Sequence, residues 1–339
     1  MTSFNSSPVL TERPKFLGAT ARHRLVNVTI LLLLLLLPLA AHFQGAEFWI
    51  DFATRLVVLA IAAVTLNFIL GFGGLVSFGH AAFIGIGAYA VGIPAYYEEF
   101  SGLWHFPLAM AAGGLFALVT GAISLRTRGV HFIMITMAFA QMMFYAIVSI
   151  EEYGGDDGLV IYNRSEFPGV SIEEGLNLFL LSYGSLIVIL YLVFRLVNSR
   201  FGMVLQGAKG NEARMAAVGY NVYWYRLVAY VIAGALCGYA GALLGNFTSF
   251  ISPEMTDWTR SGELIFMVIL GGSASLFGPV LGAAAFLVLE EVLQIAMNAT
   301  REGVGIYWHL PFGILLILSV LFLKRGVIGL LYGKEKRGG

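Results

Sequence analysis

Long apolar runs, separated by short polar or glycine-rich interruptions, make up most of this chain. An α-helix rises 1.5 Å per residue, so about 20 mostly apolar residues cross the hydrocarbon core of a bilayer. Ten segments approach that length: 25–44, 50–70, 78–97, 103–125, 130–150, 176–195, 226–250, 262–271 with its continuation, 279–298 and 308–323. The eighth is the shortest. It turns apolar at Leu264 and meets Gly271, Gly272 and Ser273 too soon for a straight crossing unless it tilts or continues through the break. Aromatic residues stand at several ends (Phe48, Trp49, Trp104, Trp224, Tyr225, Tyr307, Trp308), as interfacial anchors do. The pattern predicts an all-α, polytopic membrane protein with about ten transmembrane helices. The leucine-rich run 25–41, interrupted at Pro38, lies far from Met1 and reads as a span rather than a cleaved signal.

Composition agrees. Of 339 residues, 58% are hydrophobic and 12% charged, with a mean hydropathy of +0.82. A soluble domain carries roughly 25% charged residues, so this chain needs lipid as part of its solvent. The 41 glycines suit helices that approach closely in a membrane. The single Cys237 excludes an intramolecular disulfide and any multi-cysteine metal site.

Net charge is zero, but its distribution gives an orientation. With the N-terminus in the cytoplasm and the spans alternating, 16 of the 20 basic residues fall inside; Arg55, Arg164, Arg260 and Arg301 are the exceptions. Cytoplasmic loops carry an excess of Lys and Arg, so both termini are expected inside. This divides the chain into a cytoplasmic tail (1–24), a transmembrane domain (25–324) and a basic cytoplasmic tail (325–339). Within the domain, the outer loop 151–175 is acidic, and the inner loop 196–225 is basic.

Catalytic constellations are absent from the sequence. No H-E-x-x-H, G-x-S-x-G or G-x-x-x-x-G-K-[ST] pattern occurs. If ATP drives the protein, a separate polypeptide supplies the ATPase, and ATP and Mg bind there; no cofactor is expected in this chain. Two glycine-rich interruptions echo each other: G-G-L-V-S-F-G at 73–79 and G-G-S-A-S-L-F-G at 271–278. Paired breaks in membrane helices point to a transport path. Candidate path residues are Asn67, Gly73, Gly74, Ser77, His80, Gly271, Gly272, Ser273 and Glu290. Unwound backbone at these breaks would either line a cavity or be buried in protein. Glu290 and Glu291 are ionisable residues within an apolar segment, which are costly in hydrocarbon. They keep open a second reading, an ion-coupled secondary transporter, beside a simple interhelical hydrogen bond.

The inner loop carries its own pattern. Asn211 is placed to cap a short helix, with Glu212 favourable in its first turn. Glu212, Met215, Ala216 and Gly219 follow at i, i+3, i+4 and i+7, on one face. Arg200, Phe201 and Gly202 before it, with Gly219 and Tyr220 after, would bracket that helix as hinges. A docking role for this loop, Arg214 included, is expected.

The loop S-R-F-G-M-V-L-Q-G-A-K-G-N-E-A-R-M-A-A-V-G-Y (199–220) resembles the cytoplasmic coupling segment of LivM-type permeases of branched-chain amino acid ABC importers. L-N-F-I-L-G-F-G-G-L-V-S-F-G-H-A-A-F-I-G-I-G-A-Y (66–89), L-R-T-R-G-V-H-F (125–132), G-G-D-D-G-L (154–159), F-I-S-P-E (250–254) and L-G-G-S-A-S-L-F-G-P-V-L-G-A (270–283) resemble further signatures of that family, in family order. Lys209-Gly210 departs from the family's usual basic–acidic run. The resemblance implies a type II ABC importer-like permease in a bacterial inner membrane. Its partners would be a LivH-like second permease subunit, two ATP-binding subunits that receive the coupling helices, and a periplasmic solute-binding protein. Branched-chain amino acids are the implied substrates, with urea, amides and aromatic acids handled by similar permeases.

Overall fold

The computed structural model describes residues 21–167, 171–300, 309–322 and 326–332. The basic residues Arg13, Lys15, Arg301, Lys324, Arg325, Lys334, Lys336 and Arg337, and the anchors Tyr307 and Trp308, lie outside them. The apolar runs form helices α1 (Ala21–Phe43), α2 (Glu47–Asn67), α3 (His80–Tyr96), α4 (Gly102–Ser124), α5 (Val130–Val148), α6 (Gly175–Val197), α9 (Val222–Thr248), α10 (Trp258–Gly271), α11 (Gly278–Thr300) and α12 (His309–Phe322). Two shorter helices, α7 (Arg200–Gly210) and α8 (Glu212–Ala217), fill the basic inner loop, and α13 (Gly326–Tyr332) follows α12. The stretch expected to be a basic tail therefore contains a helix. Two residue pairs, β1 (Leu159–Val160) and β2 (Phe250–Ile251), join antiparallel.

Each of the ten apolar segments carries a helix among the described residues, but seven of these helices are long and apolar enough to cross a bilayer unaided. α3, α10 and α12 have 17, 14 and 14 residues. For α3 and α10 the shortfall has a visible cause. After α2, residues Phe68–Phe72 form a π-helical turn. The chain then leaves helix over 73–79 before α3 starts beside α10, where the Ala81 amide donates to Ser261 Oγ. On the other side, the α9–α10 connection dips inward through a 3₁₀ turn at Pro253–Thr256, and Thr256 is packed against Gly85. Gly85 lies 11 residues before the end of α3, about 16 Å along the axis.

The sidedness argument reappears as geometry. Lys209 of α7 reaches the end of α2, Glu212 of α8 pairs with Arg128 of the α4–α5 turn, and Gly326 of α13 abuts Gly271 and Gly272 at the end of α10. Tyr332 bonds Asn27 near the start of α1. These segments, all assigned inside by charge, share one end. At the opposite end the Gly102 amide donates to the Glu166 carbonyl, Tyr97 bonds Glu152, and β1 pairs with β2. Both glycine breaks lie at the α8 end and run in the same direction, so they are not related as an inverted pair.

α2 and α9 form the centre. α9 packs most broadly, against α3 and α4, with small residues at the crossings. A Cβ on Gly241 would overlap the Ile84 carbonyl, and one on Gly238 would lie 2.5 Å from the Ala109 carbonyl oxygen. Glycine here lets backbones touch, which is how helices gain dispersion energy where lipid competes for apolar contact. α1, α5 and α11 instead expose large apolar side chains such as Leu37, Met134 and Ile295, surfaces suited to lipid or a second membrane subunit.

Candidate functional site

At the α8 end, two side-chain caps set the helices. Ser199 Oγ accepts from the Gly202 amide at 3.3 Å and starts α7; Asn211 Oδ1 accepts from the Arg214 amide at 2.9 Å and starts α8. The Asn211 cap is the one the sequence predicts. Arg200, Phe201 and Gly202, expected to bracket α8, form the first turn of a helix of their own, α7. The reason is packing, since a Gly202 side chain would overlap the Leu196 and Val197 carbonyls and Leu205 is fully buried.

The predicted face of α8 is divided. Glu212 turns inward, with Oε1 3.0 Å from Arg128 Nη2 and Oε2 2.9 Å from Arg226 Nη1. Met215 packs on Gly207. Arg214, Ala216 and Gly219 point out, joined by Val218, which is 69% exposed. Gly219 has φ +97°, a left-handed conformation that glycine adopts without steric cost and that ends α8 sharply. The result is a short helix pinned from beneath by two arginines and bare on top.

This platform is tied to both glycine breaks. Lys209 Nζ donates to the Gly71 carbonyl at 2.6 Å, and its stem lies over Gly74. Four residues before Gly71, Asn67 Oδ1 accepts from the Ala274 amide at 3.0 Å and Nδ2 donates to the Ser275 carbonyl at 2.8 Å. One amide side chain thus clasps the second break to the first. Gly73 is buried and Gly74 exposed; Gly271 and Gly272 are buried, and Ser273 is exposed.

Inside the bundle, the non-helical segment 73–79 is served by neighbouring helices. Thr136 Oγ1 on α5 accepts from the Phe78 amide, and Ser77 Oγ shares a hydrogen bond with the Tyr230 hydroxyl on α9. Ser77 and His80 are fully buried in this chain's own core. The His80 ring packs against Phe83 and Tyr230, and neither nitrogen has a partner among the described residues. These positions belong to the buried alternative posed for unwound backbone at membrane depth.

Glu290 is buried, and both its oxygens face Arg55 Nη2, at 3.2 and 3.3 Å. Glu291 is half-buried. Arg55 also lines a cavity of about 120 Å³ in the half of the bundle away from α8, with Arg260 and Glu263 of α10 and the apolar Leu59, Ile84 and Leu264. A wider concavity of about 540 Å³ shares Arg260 and adds Asp51, Arg164 and Glu254. The sequence reading did not assign Arg55, Arg260 or Lys209 to a site. A signal existed for the arginines: Arg55, Arg164 and Arg260 are three of the four exceptions to the charge asymmetry. Among the described residues, no group of three His, Cys, Asp or Glu could hold a metal ion.

A family model described as branched-chain amino acid transport system / permease component matches residues 48–321. The chain belongs to this family. It is similar to the high-affinity branched-chain amino acid transport system permease protein LivM of Salmonella typhimurium, 25% identical over 93% of this chain and 78% of the relative. The LivM protein of Escherichia coli K12 is 26% identical over the same shares. A probable LivH permease of Methanocaldococcus jannaschii is 26% identical over 47% of this chain and 50% of that protein. No solved structure matches.

Proposed function

We propose that the chain is the LivM-type permease subunit of an ATP-driven importer in a bacterial inner membrane, carrying branched-chain amino acids. It forms half of the translocation path beside a LivH-like subunit. Two ATP-binding subunits dock at the α8 end and bind the ATP and Mg that this chain lacks motifs for. A periplasmic binding protein delivers substrate at the other end. The family and its LivM and LivH relatives support the permease role. The observation that carries coupling is the exposed α8, pinned through Glu212 and continuous through Lys209 with the breaks at Gly71 and Ala274. ATP binding moves α8, and the clasped breaks carry that motion to α2, α3, α10 and α11. Such a shift requires contacts that differ between the inward- and outward-open states.

Glu290 does not need a transported ion to explain it, since Arg55 already balances its charge. A charge in hydrocarbon is tolerated when so paired. The coupling reading is tested in proteoliposomes holding the full complex. Glu212→Lys would face Arg128 and Arg226 with a third cation, and Gly219→Trp would force a bulky residue into a left-handed turn. Either is expected to lower ATP-driven leucine uptake by about tenfold or more, with the chain still assembled in the membrane. Uptake at the normal rate by either variant would refute the role of α8.

A further inference from the structure

The F-I-S-P-E stretch at 250–254 has no part in the coupling end, yet it builds the opposite half of the molecule. Phe250 and Ile251 pair with Val160 and Leu159, and the chain then turns inward so that Thr256 is fully buried beside Gly85. Met255 of this inward turn forms one wall of the 120 Å³ cavity. Such a volume holds several water-sized groups.

The lining combines two chemistries. Leu59, Leu264 and Met255 give an apolar side, while Arg55, Arg260 and Glu263 give a charged one. Glu290 stands behind Arg55, so that guanidinium is held in place with donors to spare. Arg260 Nη1 meets Glu263 Oε2 at 2.9 Å, one turn along α10. Both side chains remain partly open, at 48% and 32% exposure, and both line the cavity. A guanidinium and a carboxylate side by side, next to an apolar wall, complement a molecule with a carboxylate and an ammonium on one carbon and a hydrocarbon side chain.

Building on the permease reading, we propose that this cavity is a binding station for a zwitterionic α-amino acid with an apolar side chain. Arg55 and Arg260 take its carboxylate, Glu263 takes its ammonium, and Leu59 and Leu264 receive the side chain. The permease itself therefore reads the head group and does not only open a passage. A carboxylic acid without the amine leaves Glu263 facing no ligand donor, and an amine without the carboxylate leaves the arginines without an acceptor.

The test uses the full complex in proteoliposomes, with its binding protein outside, ATP inside and radiolabelled leucine as the probe. The readout is leucine carried per ATP hydrolysed, which corrects for incomplete assembly. Arg260→Gln is expected to lower that ratio about tenfold, and Arg260→Lys to retain most of it. The double exchange Arg260→Glu with Glu263→Arg keeps an ion pair on α10 but moves its charges, and is expected to stay as low as Arg260→Gln. A wild-type ratio in Arg260→Gln, or its full return in the double exchange, would overturn the station while leaving the permease reading intact. Absence of ATP-driven leucine uptake in the wild-type complex would overturn that reading and the station with it.

Discussion

Asn67 shows how much one side chain settles in this molecule. It is the last residue of α2, fully buried, and it supplies both a donor and an acceptor to the second glycine break. Replacement by leucine would strand the Ala274 amide and the Ser275 carbonyl. A buried polar group left unpaired costs about 1–3 kcal/mol, so Asn67→Leu is expected to lower the melting temperature of the purified chain, measured in detergent by tryptophan fluorescence. An unchanged melting temperature would mean the clasp contributes nothing. Asn67 was legible in the sequence as a candidate path residue just before the first glycine break. Its partner lies more than 200 positions away, and no local pattern contains that information. Arg55 and Arg260 were legible in another way, as basic residues on the side that charge asymmetry leaves poor in them. Their meeting around one cavity depends on how α2 and α10 pack.

At the level of elements, long apolar helices were readable to within a few residues at most ends, because a crossing needs about 20 mostly apolar residues and polar or glycine-rich stretches mark where each run stops. α7 was not. Its sequence contains Gly202, Gly207 and Gly210, each costing about 1 kcal/mol relative to alanine in a helix. It forms because tertiary contacts favour it: Gly202 touches the end of α6, and Gly207 accepts Met215. The inward dip before α10 was likewise hidden, since 3₁₀ turns carry no periodic signal. α7 and α8 act as one piece, and Lys209 is its link to α2. Lys209→Met keeps most of the stem over Gly74 but removes the bond to the Gly71 carbonyl. Leucine carried per ATP is expected to fall roughly fivefold, the low end of typical coupling energies, while ATP hydrolysis continues. A ratio equal to wild type would show that α8 communicates by another route.

Across the whole molecule, alternation of sides was the most legible feature. Counting arginines and lysines placed four separate basic segments together, and the structure brings their described parts to one end through Lys209, Arg128, Gly326 and Tyr332. Depth was less legible than sidedness. Sequence length implied ten spans, the eighth of them short, whereas non-helical segments after α2 and before α10 take up part of the distance, with Ser77 and Thr256 buried in them. The molecule thus has one end with α8 bare and the breaks clasped above it, and another with paired charges around a cavity. The central claim is that ATP on partner subunits drives solute past both. Uptake of radiolabelled leucine into proteoliposomes containing the full complex and its binding protein measures this most directly. The account predicts uptake that requires ATP enclosed within the vesicles and persists when a protonophore abolishes the proton gradient. Uptake that proceeds without ATP and collapses with the protonophore would contradict it.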